Sequence, residues 1–190
     1  KACPNVAGEM VVTAVDQLWV PDITYIRLQD EFVFLAVILD ACSRRVIGWA
    51  LERTLEDELT LAALRMALSR RANQPGLVHH SDRGSQYAST DYTDLLKAHG
   101  IDISMSRKAN PWDNAACESF MKSLKYEEVL RNEYRDLGEA RQSIVRFLEQ
   151  VYNEKRLHSA LGYRPPVEFE QALLAARQTA PTVSAGEPEC

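Results

Sequence analysis

The nine residues Phe32 to Asp40 (FVFLAVILD) carry apolar side chains at odd and even positions alike. Alternate residues of a strand point to opposite faces, so such a run needs cover on both sides, as at the centre of a layered sheet. It is far too short for a membrane crossing, which takes about 20 apolar residues. No longer apolar run interrupts the chain, and the opening KACPNVAGEM lacks the apolar stretch of a secretory signal.

The flanks of this run supply the rest of a sheet. Gln17 to Leu28 (QLWVPDITYIRL) mixes aromatic and β-branched residues at near-alternating positions, and Arg45 to Glu52 (RVIGWALE) reads as a third strand after a short turn. The period then changes. Thr54 and Asp57 stand at capping-box spacing, and Leu55, Leu59, Ala62, Ala63 and Met66 recur at helical intervals up to Arg71. Asn73-Gln74-Pro75-Gly76 breaks the helix. Leu77 to Ser81 is a fourth strand, Ser89 to His99 a helix stopped by Gly100, and Ile101 to Ser106 a fifth strand. After the loop Arg107 to Trp112, Asp113 or Asn114 caps a helix through Glu118 to about Glu128; another helix covers Leu137 to Tyr152, and a last one Pro166 to Arg177.

The order βββαβαβα predicts an α/β fold, a ribonuclease-H-like mixed five-stranded sheet flanked by helices. A doubly wound nucleotide-binding fold would alternate strand and helix from the start and place a Gly-rich loop after its first strand, which this chain lacks. The expected organisation is an irregular leader over 1–16, a core over 17–153, a basic connector and helix over 154–177, and a disordered tail over 178–190. A chain of 190 residues, 46% hydrophobic, has material for one substantial core.

Three acids fall where this fold would gather them: Asp22 within the first strand, Asp82 at the end of the fourth, and Glu118 on the helix after the fifth. Any one alone would more often be a cap or a solvated surface group. Together, carboxylates at a strand-to-loop exit are the ligand type for hard cations such as Mg²⁺, and paired Mg²⁺ ions stabilise both oxygens of a phosphodiester exchange. Asn114 and Lys122 stand four residues either side of Glu118, and Lys125 seven beyond it, all on one helical face. The net charge of −5 and pI near 5.4 run against a nucleic-acid partner, although bound cations would cancel part of the acidity.

The blocks WVPDITYI, HHSDRGSQY, SMSRKANPWDNAACESFMKSLK and YNEKRLHSALGYRPP, in that order over about Leu18 to Glu170, resemble the integrase catalytic core of bacterial insertion-sequence transposases of the insertion-sequence-three family, and more distantly retroviral integrase cores. Thirty-five residues lie between Asp82 and Glu118, as that family's aspartate, aspartate, thirty-five, glutamate pattern requires. The resemblance implies a DDE-type polynucleotidyl transferase acting in DNA recombination, with Asp22, Asp82 and Glu118 as catalytic metal ligands for Mg²⁺ or Mn²⁺, two ions with DNA bound. It implies DNA as partner, both element ends and target, with Lys122, Lys125 and Asn114 in contact, a homo-oligomeric active complex, and a bacterial cytoplasmic setting without membrane. Full-length members are longer, with helix-turn-helix segments ahead of the core, so the chain reads as a fragment. A simple metal nuclease and an incompetent truncated DNA-binding regulator are the alternatives.

Further DNA-binding candidates are Arg107, Lys108 and Trp112 in the loop before Glu118, and Lys155 and Arg156 in the connector, where His158, Arg164, Tyr152 and Tyr163 add a basic, aromatic surface. Asp40 is read as a strand-end turn residue beside Ser43, His79 and His80 as packing residues rather than transition-metal ligands, and Trp19 and Trp49 as core. Four scattered cysteines without a CxxC pair are read as reduced thiols.

Overall fold

The computed structural model describes residues 7, 10–72, 75–82, 84–105 and 115–179. Five strands, β1 (Leu18–Arg27), β2 (Phe32–Asp40), β3 (Val46–Glu52), β4 (Val78–Ser81) and β5 (Asp102–Met105), form one sheet in the order β3-β2-β1-β4-β5. The pairs β1–β2 and β2–β3 are antiparallel, whereas β4 runs parallel to β1 and to β5. The helices are α1 (Asp57–Arg70), α2 (Thr90–Ala98), α3 (Ala115–Glu127), α4 (Leu137–Arg146) and α5 (Pro166–Thr179). This is the mixed sheet expected from the order of periodicities. No helix among the described residues is long and apolar enough to cross a membrane.

The two-faced apolar character of β2 is matched by a core on each side of the sheet. Val33, Leu35, Val37 and Leu39 pack with Phe120 and Leu124 of α3 and Ala140 and Ile144 of α4. Ala36 and Ile38 pack with Trp19, Leu59, Leu64 and Ala67 of α1, and Tyr92 and Leu96 of α2. Burying a Val, Leu or Ile side chain stabilises by about 1.5–3 kcal/mol, so these two layers hold the sheet between helices. Gly48 lets α1 lie close: a Cβ there would drive into the Ala63 carbonyl and the Ala67 side chain.

Two helix boundaries differ from expectation. The Thr54–Asp57 capping box does not form; Glu56, in extended conformation, precedes the first turn and α1 begins at Asp57. Leu55 is thereby left out of the helix and 41% exposed. The span Leu137–Tyr152 is not one α-helix, because Phe147–Tyr152 is wound as π-helix, with the Asn153 N–H donating to Leu148 O at 3.2 Å. The wider winding lets Phe147, Leu148 and Tyr152 all enter the core. At the start of α4 the Asp136 carboxylate accepts from the Glu139 N–H at 2.9 Å, a cap the sequence pattern did not flag.

Side chains tie the last third of the chain to the sheet. The Asn153 amide bonds both backbone groups of Val46, accepting from its N–H at 3.0 Å and donating to its C=O at 2.9 Å. Arg141 donates to the Leu51 carbonyl on the same edge of β3. Buried Glu170 of α5 accepts from Ser43 Oγ at 2.7 Å and from Arg45 at 2.6 Å, and pairs with Arg71. Asp40 is fully buried and accepts from the Ser43 N–H and the Asp16 N–H, each at 2.7 Å, so it is the turn residue expected. Trp19 and Trp49 are core residues whose indole N–H groups reach Asp16 and Glu149.

Candidate active site

Asp22 lies on the same face of β1 as Leu18 and Val20, toward α3, whose Cys117 thiol reaches the Val20 carbonyl at 3.4 Å. β1 and β4 are parallel neighbours, so Asp82, one residue past β4, leaves the sheet beside β1. Glu118 is in the first turn of α3, immediately after buried Cys117. The three acids thus come from a central strand, its neighbour and the helix covering them.

Their charges meet at Asp22. Burial, first, and then the charges of Asp82 and Glu118 push its carboxyl up to about 6, against the Ile23 N–H and the Lys125 ammonium, which pull it down. The Ile23 N–H donates to Asp22 Oδ1 at 2.8 Å, and the Gly84 N–H to Asp82 Oδ1 at 2.9 Å. Glycine suits position 84 because a Cβ would come within 3.0 Å of that same Asp82 oxygen. Asp22 and Asp82 line a cleft of about 260 Å³ whose other walls include Thr24, Tyr25, Phe34, Leu55, Gln86 and Tyr87. Sequence reasoning assigned no part to these wall residues. The signal was present for Gln86 and Tyr87, which stand in the HHSDRGSQY block, but nothing in the pattern placed them beside Asp22.

Among the described residues no three His, Cys, Asp or Glu side chains stand close enough together to hold a metal ion. The donor set nonetheless suits a hard cation. Asp22 and Asp82 offer carboxylate oxygen, and Asp22, raised first by burial and then by the neighbouring acids, is a carboxylate that a cation would help to ionise. Histidine is held apart from it. His79 is hydrogen-bonded through Nε2 to the Tyr92 hydroxyl at 2.9 Å, and burial, then His80, lowers it to about 3; His80 Nδ1 meets Ser104 Oγ at 2.9 Å. Both are the packing residues the sequence suggested.

Residues 12–111 match the Integrase core domain family, and residues 99–166 match a second family of the same description. The chain belongs to the integrase core domain family. Among relatives of this core, the transposase for insertion sequence element IS904 from Lactococcus lactis is 40% identical over 169 residues, covering 88% of the chain and 67% of that protein. The transposase InsF for insertion sequence IS3A from Escherichia coli K12 is 40% identical over 160 residues, covering 84% and 56%. The chain therefore spans a little over half to two thirds of the length of these relatives. In fold, this integrase core matches the HTLV-2 integrase catalytic core solved in complex with magnesium in a trimeric form, with a TM-score of 0.61, 16% identity and coverage of 83% and 97%. A chain of the simian T-cell lymphotropic virus intasome gives 0.69, 15%, and 99% and 62%. The ribonuclease-H-like fold is thereby established for this core.

The remaining candidates divide by location. Asn114, Arg107, Lys108 and Trp112 lie outside the described residues. Lys122 and Lys125 are exposed on α3, with Lys125 near enough for its charge to act on Asp22. In the connector Lys155 is exposed, whereas Arg156 forms a two-pronged pair with Glu127, at 3.0 Å through Nε and 2.8 Å through Nη2, and lies over the Tyr152 ring. Tyr152 is 2% exposed and packs edge-on against Phe120, which removes it from the expected stacking surface; Tyr163 is exposed.

Proposed function

We propose that this transposase/integrase core cuts DNA at the ends of a mobile element and joins the freed 3′-hydroxyl to a target strand, with Asp22, Asp82 and Glu118 as its catalytic acids. The observation that carries this reading is that Asp22 and Asp82 line one cleft, with Glu118 of α3 near enough for its charge to bear on Asp22. Mg²⁺ or Mn²⁺, two ions when DNA is present, would be held by these carboxylates and would supply activation of the attacking oxygen and charge stabilisation of the leaving one. The magnesium of the HTLV-2 core is consistent with that assignment.

In the first step an oxygen of water bonds to phosphorus at the element end and the bond to the 3′ oxygen breaks, leaving a 3′-hydroxyl. In the second, that hydroxyl bonds to a target phosphorus and displaces the target's own 3′ oxygen. The residues of this chain bind and orient. The Ile23 and Gly84 N–H groups each fix one oxygen of Asp22 and Asp82, leaving the other oxygen of each for a cation. Exposed Lys122, Lys125 and Lys155 offer phosphate contacts, and Arg107, Lys108, Asn114 and Trp112 are further candidates from the sequence; Arg156 would first have to leave Glu127. We further assign the catalytic core to 17–153 and the connector with its helix to 154–177, and infer a homo-oligomeric complex on DNA in the bacterial cytoplasm.

A binding-only regulator is the second reading, favoured by acids that, among the described residues, do not stand together as a metal cluster. A joining assay with labelled element-end DNA and Mn²⁺ separates the two. Wild type joins and Asp82→Asn and Glu118→Gln lose at least about a hundredfold in rate. Activity that survives both substitutions sinks the triad, and an inactive wild type that still binds end DNA supports the regulator.

A further inference from the structure

Tyr87 is 4% exposed, yet among the described residues its hydroxyl has no hydrogen-bond partner. The neighbouring phenol is treated differently: Tyr92, whose ring packs edge-on against Tyr87 at 5.6 Å between centroids, shares a hydrogen bond with His79 Nε2. Packing here can satisfy a buried phenol, and leaves one unsatisfied where it meets the acidic cleft. Tyr87 lines that cleft with Asp22 and Asp82. Burial, then Tyr92, Asp22, Cys117 and Asp82, hold the Tyr87 phenol well above its usual range, so it keeps its proton at working pH.

We propose that Tyr87 is a positioning residue of the carboxylate site: its phenol oxygen accepts a hydrogen bond from a water carried by the divalent cation, and its O–H donates a hydrogen bond to a carboxylate of the Asp22–Asp82 pair. The inference rests on the reading that these acids bind a cation. Mg²⁺ gives up its waters reluctantly, and the protons of a cation-bound water point outward and need acceptors. Carboxylate oxygens that ligate the cation are already engaged. A hydroxyl can accept and donate at once, which neither an aromatic ring nor a backbone N–H can do. The ring contacts of Tyr87 with Tyr92 and, at 6.4 Å, with His79 set the phenol in place before any cation arrives. Partners of this outer kind orient ligands and tune affinity.

The test is a Mn²⁺ titration of the whole chain without DNA, read as the rise in melting temperature. Tyr87→Phe keeps the ring and removes the orphaned hydroxyl, so its metal-free melting temperature equals or exceeds that of wild type, while the Mn²⁺ concentration for half the shift rises about tenfold. Tyr92→Phe is the packing control: it lowers the metal-free melting temperature and leaves the Mn²⁺ midpoint where it was. A Tyr87→Phe titration that overlays wild type overturns the proposal, as does an equal midpoint shift in Tyr92→Phe or a Tyr87→Phe chain that fails to fold. Asp82→Asn separates the inference from its basis. Loss of the Mn²⁺ response in Asp82→Asn with an unchanged Tyr87→Phe removes only the Tyr87 role, whereas no response in wild type, or a wild-type response in Asp82→Asn, removes both.

Discussion

The side-chain amide of Asn153 makes both backbone hydrogen bonds of Val46, at 3.0 and 2.9 Å, across 107 residues of sequence. An amide carries a donor and an acceptor side by side, like a residue of a neighbouring strand, so Asn153 stands in for one at the start of β3. It also explains why asparagine follows tyrosine in the YNEKRLH block: Tyr152 fills the core and Asn153 binds the sheet.

Asn153→Ala leaves the Val46 N–H and C=O buried without partners, and we expect a loss of about 2–4 kcal/mol. Urea denaturation monitored by tryptophan fluorescence measures it. A loss below about 0.5 kcal/mol would show that water replaces the amide freely.

The acidic site predicts a pH dependence of opposite sign to the usual carboxylate. Asp22 moves from 3.8 to about 6, so the folded chain binds its proton more tightly than the unfolded chain does. Its contribution is fully present below about pH 4 and is lost as pH rises through about 6, on the order of 2 kcal/mol in all. In EDTA, wild type therefore loses stability relative to Asp22→Asn between pH 4.5 and 7.5, and Mn²⁺ restores part of the difference by replacing the proton. Parallel stability curves for the two proteins across that range would contradict the shift.

Much of this architecture could be read from residue order. The two-faced β2 run required helices on both sides, and the change from period two to helical spacing after Glu52 located α1. The three acids stand out in the sequence because they fall on neighbouring elements: Asp22 on β1, Asp82 just past β4 and Glu118 on α3. What could not be read depends on geometry between distant segments. The start of α1 hinged on whether Thr54 or Glu56 took the extended conformation, and both residue types tolerate it. The π-winding of Phe147–Tyr152 has no signature in a pattern that suits an α-helix equally well. Arg156 looked like a phosphate contact until Glu127 stood 2.8 Å away. Tyr87 lies within the HHSDRGSQY block, but whether its hydroxyl finds a partner is decided by segments distant in sequence.

Lys122 and Lys125 test the DNA track without touching the fold. Both are exposed, so Lys122→Ala and Lys125→Ala leave stability within about 0.5 kcal/mol of wild type. Each is expected to weaken binding of end DNA and to reduce the magnitude of the slope of log affinity against log salt by about one, measured by fluorescence anisotropy at several salt concentrations. Lys125→Ala has a second effect that Lys122→Ala lacks, because the Lys125 charge lowers the Asp22 carboxyl. The pH at which the metal-free protein loses stability moves upward in Lys125→Ala. An unchanged salt slope in both variants would place the DNA elsewhere.

β3 is the outermost strand on its side of the sheet, and an outermost strand exposes a row of backbone groups to which any passing extended chain could zip. At one end of that row Asn153 occupies Val46, and toward the other Arg141 occupies the Leu51 carbonyl. With Val46 and the Leu51 carbonyl already engaged, an extended chain approaching β3 finds backbone groups occupied toward both ends, so lengthening of the sheet past β3 is disfavoured.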